Sequence, residues 1–269
     1  VEALRAADRT IELVAVGAVG PWSEGMMREC ADHMDLVSEH FYCQERSGLR
    51  AHVRQIPDAV RRVAEAHRRY REEIPGLTDK DIRVALDEWN YWYGPHVFGE
   101  LGTRYFLKDG LGIAAGLNEI ARHSDLFYMA NYAQTVNVIG AIKTSRTSAA
   151  METTGLVLEL YRHRFGVLPA RTESASPLDA QAAWSADRKT LTLAVVHPAL
   201  ARTEVPLEVR GARLTGSGTC YVIAGDDPQA FNDPDQPPGV TVVPRSVEGL
   251  GDTLSLLPCS VTLWVLDVE

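Results

Sequence analysis

Strand-like and helix-like segments alternate along the first 166 residues of the chain. Compact β-type runs occupy residues 11–17, 34–42, 82–89 and 126–130, and helical segments lie between them. The most regular helical segment, residues 56–74, repeats apolar and aromatic side chains at steps of three and four residues, so one face is suited to pack on a sheet. This alternation predicts a parallel sheet covered by helices.

The pattern changes after Gly166. A helix predicted over residues 149–165 ends at this glycine, as glycine favours the position after a helix C-terminus. Beyond it, short strand-like runs are separated by turns rich in Gly and Pro, which is typical of an antiparallel sandwich. The fold class predicted is therefore α/β over residues 1–170 followed by an all-β domain over residues 171–269. Its strands are expected at residues 180–185, 191–196, 203–209, 220–223, 240–243 and 260–267.

Composition excludes several classes of protein. The net charge of −9 argues against a nucleic-acid partner, because binders of the phosphate backbone normally carry a basic field. No apolar run reaches the roughly 18 residues of a membrane-spanning helix, so no membrane partner is expected. The first residues lack the basic start and apolar middle of a signal peptide. The cysteines form no CxxC pair, so we expect no metal site and a reducing, cytoplasmic location.

Residues 87–93 read DEWNYWY and follow directly on the third strand. On a regular strand Val84, Leu86 and Glu88 share one face, and Asp87 points the other way. Active sites of parallel barrels lie at the C-terminal ends of the strands. A carboxylate there, walled by aromatic rings, can attack an anomeric carbon, which makes Glu88 the candidate nucleophile. The alternative is that these rings only cap the core.

Polar side chains also follow other strand ends. His40 and Tyr42 share the face of Glu88, and a tyrosine hydroxyl beside a carboxylate orients it and helps to keep it ionised. Packing at the rim is the alternative for both residues. Gln134, after the fourth strand, could bond sugar hydroxyls or cap its own loop. Trp22, after the first strand, could stack on a leaving group or simply pack.

Together these stretches resemble glycoside hydrolase family 51, the α-L-arabinofuranosidases. The resemblance implies a (β/α)8 TIM barrel followed by a jelly-roll-like β-sandwich, and a retaining mechanism without metal or cofactor. The implied activity releases terminal arabinofuranose from oligosaccharides of the arabinoxylan or arabinan type. The ordered set of motifs is DLVSEHFY at 35–42, DEWNYWY at 87–93, NYAQTVN at 131–137, AFNDP at 230–234 and TLWVLD at 262–267.

The resemblance also implies a role for each matching side chain. Glu88 would be the nucleophile and Tyr42 its hydroxyl partner and a sugar contact. The remaining substrate-binding residues would be His40 in the pocket, Trp89 and Asn90 at its floor, and Gln134 against the sugar. The family is usually intracellular and oligomeric, so we expect a homo-oligomer.

The number of strands departs from the family pattern. In the family's clan the nucleophile ends the seventh barrel strand, and the acid/base ends the fourth in a Gly-Asn-Glu context. Glu88 ends the third of four predicted strands, which therefore correspond to strands five to eight of a barrel that needs about 250 residues. The acid/base carboxylate is expected upstream of Val1, since Glu24, Glu39 and Glu45 are poorly placed for that role.

A half barrel has two consequences. We expect this chain to be inactive by itself, and to need an N-terminal barrel half from the same gene product or from a separate chain. One alternative function is that of a relative acting on internal β-glucan or xylan linkages, as an endoglucanase or xylanase. Another is a non-catalytic carbohydrate-binding fragment.

Overall fold

The computed structural model describes residues 1–99 and 101–269. Its helices are α1 (Glu2–Ala7), α2 (Pro21–Glu29), α3 (Leu49–Val53), α4 (Gln55–Glu73), α5 (Leu107–Arg122) and α6 (Thr153–Arg164), with a one-turn 3-10 helix at Ala31–His33. Its strands are β1 (Val14–Ala15), β2 (Leu36–Cys43), β3 (Arg83–Tyr91), β4 (Phe127–Tyr132), β5 (Ile142–Thr144), β6 (Ala149–Met151), β7 (Leu168–Ala170), β8 (Asp179–Trp184), β9 (Thr190–His197), β10 (Thr203–Pro206), β11 (Leu214–Ala224), β12 (Val243–Val247), β13 (Thr253–Leu256) and β14 (Ser260–Val268).

The first of two compact units consists of Val1–Tyr42, Asp58–Asn90 and His123–Ala133. It contains a four-stranded sheet in the order β1-β2-β3-β4, in which β1 runs parallel to β2 and β3 runs parallel to β4. The apolar and aromatic stripe of α4 is buried within this unit, with Val60 at 0% exposure, Val63 at 5% and Tyr70 at 1%. Burial of this stripe is the main reason why the segment is helical in this position, since most helical stability comes from packing one face.

The second unit consists of Cys43–Pro57, Tyr91–Arg122 and Gln134–Glu269. Its largest sheet has six strands in the order β12-β11-β14-β9-β8-β7, and every neighbouring pair is antiparallel. The two-stranded sheet of β10 and β13 contributes Leu254 and Leu256 to a buried apolar cluster that also contains residues of the six-stranded sheet.

A buried carboxylate fixes the start of α5 in the second unit. Asp109 accepts hydrogen bonds from His52 Nε2 at 2.8 Å, from Tyr93 Oη at 2.7 Å and from the Phe106 N–H at 2.7 Å. The bond to Phe106 satisfies a backbone donor that a helix leaves free at its beginning. Further along α5, Gly112 leaves room for the Tyr91 hydroxyl, which would lie 2.0 Å from an added Cβ.

Some predicted boundaries in the second unit are wrong. The helix predicted from residue 149 begins at Thr153, because Ala149–Met151 pairs with Ile142–Thr144 as an antiparallel hairpin. The strand predicted at residues 240–243 lies at Val243–Val247 instead. Val240 is engaged elsewhere, since its N–H and C=O bond the side-chain amide of Asn232 at 2.8 Å and 3.0 Å.

Gly17 marks a close approach between two segments of the first unit. A Cβ at this position would lie 2.0 Å from the backbone oxygen of Ser38 and 3.0 Å from Glu39 Oε1 and Ser23 Oγ. Since real Cβ contacts are not this short, only glycine lets the chain pass β2 here without displacing it.

We predict that Gly17→Ala lowers the free energy of unfolding by about 1–3 kcal/mol, because overpacking forces the backbone of β2 to move. Gly25→Ala is the matched control, since Gly25 lies inside α2 and an added Cβ meets nothing within 4 Å. It should instead stabilise the helix by about 0.5–1 kcal/mol. Urea unfolding of the three proteins measures both effects, and equal stability of Gly17→Ala and wild type would contradict the packing argument.

Candidate active site

Tyr42 and Glu88 meet at the C-terminal ends of neighbouring strands in the first unit. Tyr42 Oη donates a hydrogen bond of 2.8 Å to Glu88 Oε2. The Glu88 side chain keeps 47% of its surface exposed, so a ligand can reach this carboxylate from solvent. The strand alternation that placed Tyr42 and Glu88 on a common face therefore predicted a real contact.

Burial and the contact with Glu88 together keep the phenol of Tyr42 protonated. Burial is the largest cause that raises the pKa of Tyr42, and the bond to Glu88 and the charge of Glu88 raise it further. Tyr42 therefore stays protonated over the physiological range and acts as a donor to the carboxylate. A fixed donor holds one carboxylate oxygen and leaves the other available.

His40 reaches two adjacent carboxylates. Its Nδ1 lies 3.7 Å from Glu88 Oε2, and its Nε2 lies 2.7 Å from Asp87 Oδ1. Regular alternation would place Asp87 and Glu88 on opposite faces of β3. Both carboxylates instead lie near His40, so the expectation that Asp87 points away from Glu88 is wrong. The sequence carries no signal for this contact.

A β-bulge explains the position of Asp87. Leu86 pairs with Ala130 and Trp89 pairs with Tyr132, so three steps along β3 face two steps along β4. An extra residue of this kind breaks the alternation of side chains and re-aims those beside it, and such bulges are frequent next to active sites.

Trp89 and Asn90 lie beneath the strand end and are fully buried. The Trp89 ring packs edge-on against Tyr132 at 6.1 Å between centroids and tilted against Phe41 at 6.4 Å. Asn90 Nδ2 donates to the backbone oxygen of Ala133 at 2.6 Å. Both side chains therefore hold the end of β3, which carries Glu88, against β4.

Gln134 belongs to the second unit, in the loop after β4. Its side chain is exposed and makes no hydrogen bond with any described residue of the chain. Loop capping is done instead by Asn137, whose Oδ1 accepts from the N–H of Thr144 at 3.0 Å. The Gln134 amide is therefore free to bind a ligand.

The three other carboxylates considered as a general acid have partners of their own. Glu39 is buried and accepts from His67 Nε2 at 2.7 Å and Ser23 Oγ at 2.6 Å. Glu24 pairs with Arg28 at 3.0 Å, and Glu45 of the second unit pairs with Lys108. Trp22 is 58% exposed and donates from Nε1 to the backbone oxygen of Val16, so it is not a packed core residue.

The described parts of the chain contain neither a cluster of metal ligands nor a helix suited to a membrane. No group of three or more His, Cys, Asp or Glu side chains is arranged to hold a metal ion among residues 1–99 and 101–269. Within the same residues, none of the helices combines the length and the apolar character needed to cross a lipid bilayer.

Comparison with known proteins points to one family. The sequence profile described as the alpha-L-arabinofuranosidase C-terminal domain matches residues 87–260. An intracellular exo-α-(1→5)-L-arabinofuranosidase of Streptomyces lividans is 26% identical over 92% of this chain and 42% of its own length. An intracellular exo-α-(1→5)-L-arabinofuranosidase 1 of Bacillus subtilis is 24% identical over 84% of this chain and 52% of its own length.

Solved structures agree with the sequence relatives. The crystal structure of α-L-arabinofuranosidase from Thermotoga maritima in complex with arabinose superposes with a TM-score of 0.89 at 25% identity. That match covers 99% of this chain and 60% of the other. The chain therefore spans about half the length of the curated relatives that it matches.

We predict that Glu88→Gln lowers the pKa of Tyr42, because the substitution removes the negative charge that opposes ionisation of the phenol. Burial remains, so the pKa should stay above that of free tyrosine. A pH titration of ¹³Cζ-labelled tyrosine by NMR measures this shift, and Tyr42→Phe assigns the resonance.

Glu65→Gln is the control for this titration, because Glu65 is an exposed carboxylate on α4 in the same unit. It should leave the Tyr42 resonance unmoved. The same Tyr42 midpoint in Glu88→Gln and wild type would mean that the two side chains are not coupled in solution.

Proposed function

Because the chain belongs to the α-L-arabinofuranosidase C-terminal domain family, within glycoside hydrolase family 51, we propose that it supplies the nucleophile of a retaining α-L-arabinofuranosidase. The proposed substrate is an oligosaccharide of the arabinoxylan or arabinan type that ends in arabinofuranose. Relatives named as exo-acting arabinofuranosidases support a preference for the terminal residue.

The observation that carries the proposal is the 2.8 Å hydrogen bond between Tyr42 Oη and the accessible carboxylate of Glu88. A glycosidase nucleophile must be ionised, exposed to the sugar and held in one orientation. The bond orients the carboxylate, while the exposed surface of Glu88 allows a sugar to approach.

The proposed reaction proceeds in two displacements. A Glu88 oxygen attacks the anomeric carbon and forms a glycosyl ester, while the bond to the leaving oxygen breaks and a general acid protonates that oxygen. Water then attacks the same carbon and gives its proton to the residue that acted as acid, which frees Glu88 and keeps the anomeric configuration. In a retaining enzyme the acid lies about 5 Å from the nucleophile. We propose that it lies on a part of the barrel outside this chain.

We also propose that residues 1–170 form the C-terminal half of a (β/α)8 barrel, in which β1 to β4 correspond to strands five to eight. The surfaces of the two outer strands support this assignment, since Val14 on β1 is 45% exposed and Tyr128 on β4 is 43% exposed. Apolar side chains on an outer strand favour coverage by further strands. An N-terminal barrel half, from the same gene product or from another chain, would cover both strands.

Residues 171–269 are proposed to form a jelly-roll-like β-sandwich, and the packing of β13 against the six-stranded sheet supports two layers. His40, Trp89, Asn90 and Gln134 are proposed to line or support the sugar site together with Tyr42. A cytoplasmic location is proposed because the curated relatives are named as intracellular, and a homo-oligomer is proposed from the family resemblance.

We predict that Glu88→Gln abolishes hydrolysis of an aryl α-L-arabinofuranoside by a protein that contains both barrel halves. The loss should exceed about a thousandfold in kcat, as expected when a covalent nucleophile is removed. Release of the aryl group measures the rate, and NMR of the first-formed sugar should show retention of configuration. Glu65→Gln, which alters an exposed carboxylate on α4, should keep the wild-type rate.

Three outcomes would contradict the proposed function. Substantial activity in Glu88→Gln would remove this residue from the role of nucleophile. Release of long oligosaccharides from β-glucan or xylan would indicate an endoglucanase or xylanase instead. Binding of arabinose-containing oligosaccharides without turnover by the protein with both halves would indicate a carbohydrate-binding function.

A further inference from the structure

The loop between β4 and β5 in the second unit adopts an unfavourable backbone conformation. Asn137 and Val138 are consecutive residues with positive φ angles, of 53° and 46°. Asparagine tolerates this left-handed region, whereas a β-branched side chain such as that of valine is seldom found there. Such a conformation persists only when surrounding groups hold it in place.

Three consecutive carbonyl groups of this loop are held from outside the loop. Lys143 Nζ donates to the backbone oxygens of Gly140 at 2.8 Å and Val138 at 3.3 Å. The single Tyr105 hydroxyl proton is shared between the backbone oxygens of Tyr91 at 2.8 Å and Ile139 at 3.1 Å. The Val138 oxygen also accepts from a backbone N–H on the preceding segment, at 2.8 Å. The carbonyls beside the strained residue are therefore fixed by a cation, a phenol and an amide.

The side chain of Lys143 is fully buried, which is unusual for a lysine. Removing an ammonium group from water is costly unless it is paired and hydrogen-bonded. Burial lowers the pKa of Lys143 to about 8, and the carboxylate of Glu152 acts against that shift. The ammonium also lies 5.0 Å from the centroid of the Tyr105 ring. The contribution of Lys143 lies in its bonds to the loop and in its charge, which acts against the effect of burial on the pKa of Glu152.

The same loop carries Gln134. The Gln134 N–H donates to the backbone oxygen of Ile139 at 3.3 Å, and the Gln134 oxygen accepts from the N–H of Ala141 at 3.1 Å. These partners flank Gly140, whose carbonyl binds Lys143. The backbone of Gln134 is thus bonded to the residues on either side of Gly140, which Lys143 holds, while its side-chain amide is exposed.

We propose that Lys143 is a positioning residue that holds the loop at residues 134–140 in the conformation from which Gln134 contacts the sugar. This inference rests on the proposed function, because the sugar contact of Gln134 belongs to it. Lys143 itself is buried and touches no substrate.

The first test measures the loop without any sugar. Lys143→Met removes the ammonium and keeps most of the stem, and amide hydrogen exchange followed by mass spectrometry then reports on residues 134–142. We expect exchange in this loop to accelerate by about tenfold or more, as fits the loss of hydrogen bonds to a charged group. Peptides from β14 serve as an internal reference.

Lys189→Met is the matched control, since Lys189 is an exposed lysine in the turn between β8 and β9. It should leave exchange in the loop unchanged. Unchanged loop exchange in Lys143→Met would overturn the inference. If Lys143→Met alone does not fold, the double variant Lys143→Met/Val138→Gly replaces it, because glycine removes the steric strain at position 138. The double variant is compared with Val138→Gly alone. Equal hydrogen exchange in the loop of these two proteins would also overturn the inference.

The second test uses a double-mutant cycle in a protein that contains both barrel halves. If Lys143 acts through Gln134, then Lys143→Met and Gln134→Ala should each raise KM for an aryl α-L-arabinofuranoside. The double variant should be no worse than Gln134→Ala alone, whereas independent effects would multiply. A multiplicative loss would show that Lys143 stabilises the fold without positioning Gln134.

The two tests separate failure of the inference from failure of the proposed function. A wild-type protein with both halves that neither binds nor hydrolyses arabinofuranosides would overturn the proposed function. The exchange experiment would still decide whether Lys143 holds the loop. Accelerated exchange together with a wild-type KM in Lys143→Met would overturn the positioning role and leave the proposed function intact.

Discussion

The buried carboxylate of Glu39 fixes the orientation of β2, on which the candidate site depends. It accepts hydrogen bonds from Ser23 on α2, from His67 on α4 and from the N–H of Val19 in the loop after β1. A buried carboxylate is tolerated only with such partners, and removing any of them leaves an uncompensated group. Since side chains alternate along a strand, burying Glu39 among these partners directs His40 and Tyr42 to the opposite face.

Neighbouring strands of the first unit thus carry carboxylates with opposite environments. Glu39 is fully enclosed and hydrogen-bonded at both oxygens, which gives it a structural role. Glu88 is nearly half exposed and has a phenol as its hydrogen-bond donor. The residue type alone therefore does not determine what a carboxylate does; access to solvent and the nature of its partners do.

Loops of the second unit are held by polar side chains that replace missing backbone partners. Asn232 bonds both backbone groups of Val240. Lys143 holds two carbonyls of the loop after β4. Buried backbone groups outside regular structure need such partners, since an unpaired one costs as much as a lost hydrogen bond. These side chains account for loops that are ordered without belonging to a sheet.

The sequence by itself determined the alternation of strands and helices, the buried stripe of α4 and the common face of Tyr42 and Glu88. Each of these follows from periodicity within one segment, which local sequence encodes. Only the tertiary structure decided that Asp87 approaches His40, that residues 149–151 pair with β5, and that Val240 leaves its expected strand. Each feature depends on a partner outside the segment itself. Asp87 is moved by an extra residue on β3 relative to β4, residues 149–151 pair with β5, and Val240 is bonded by the amide of Asn232. Local periodicity carries no information about such partners, because long-range pairing overrides propensity wherever it satisfies more backbone groups.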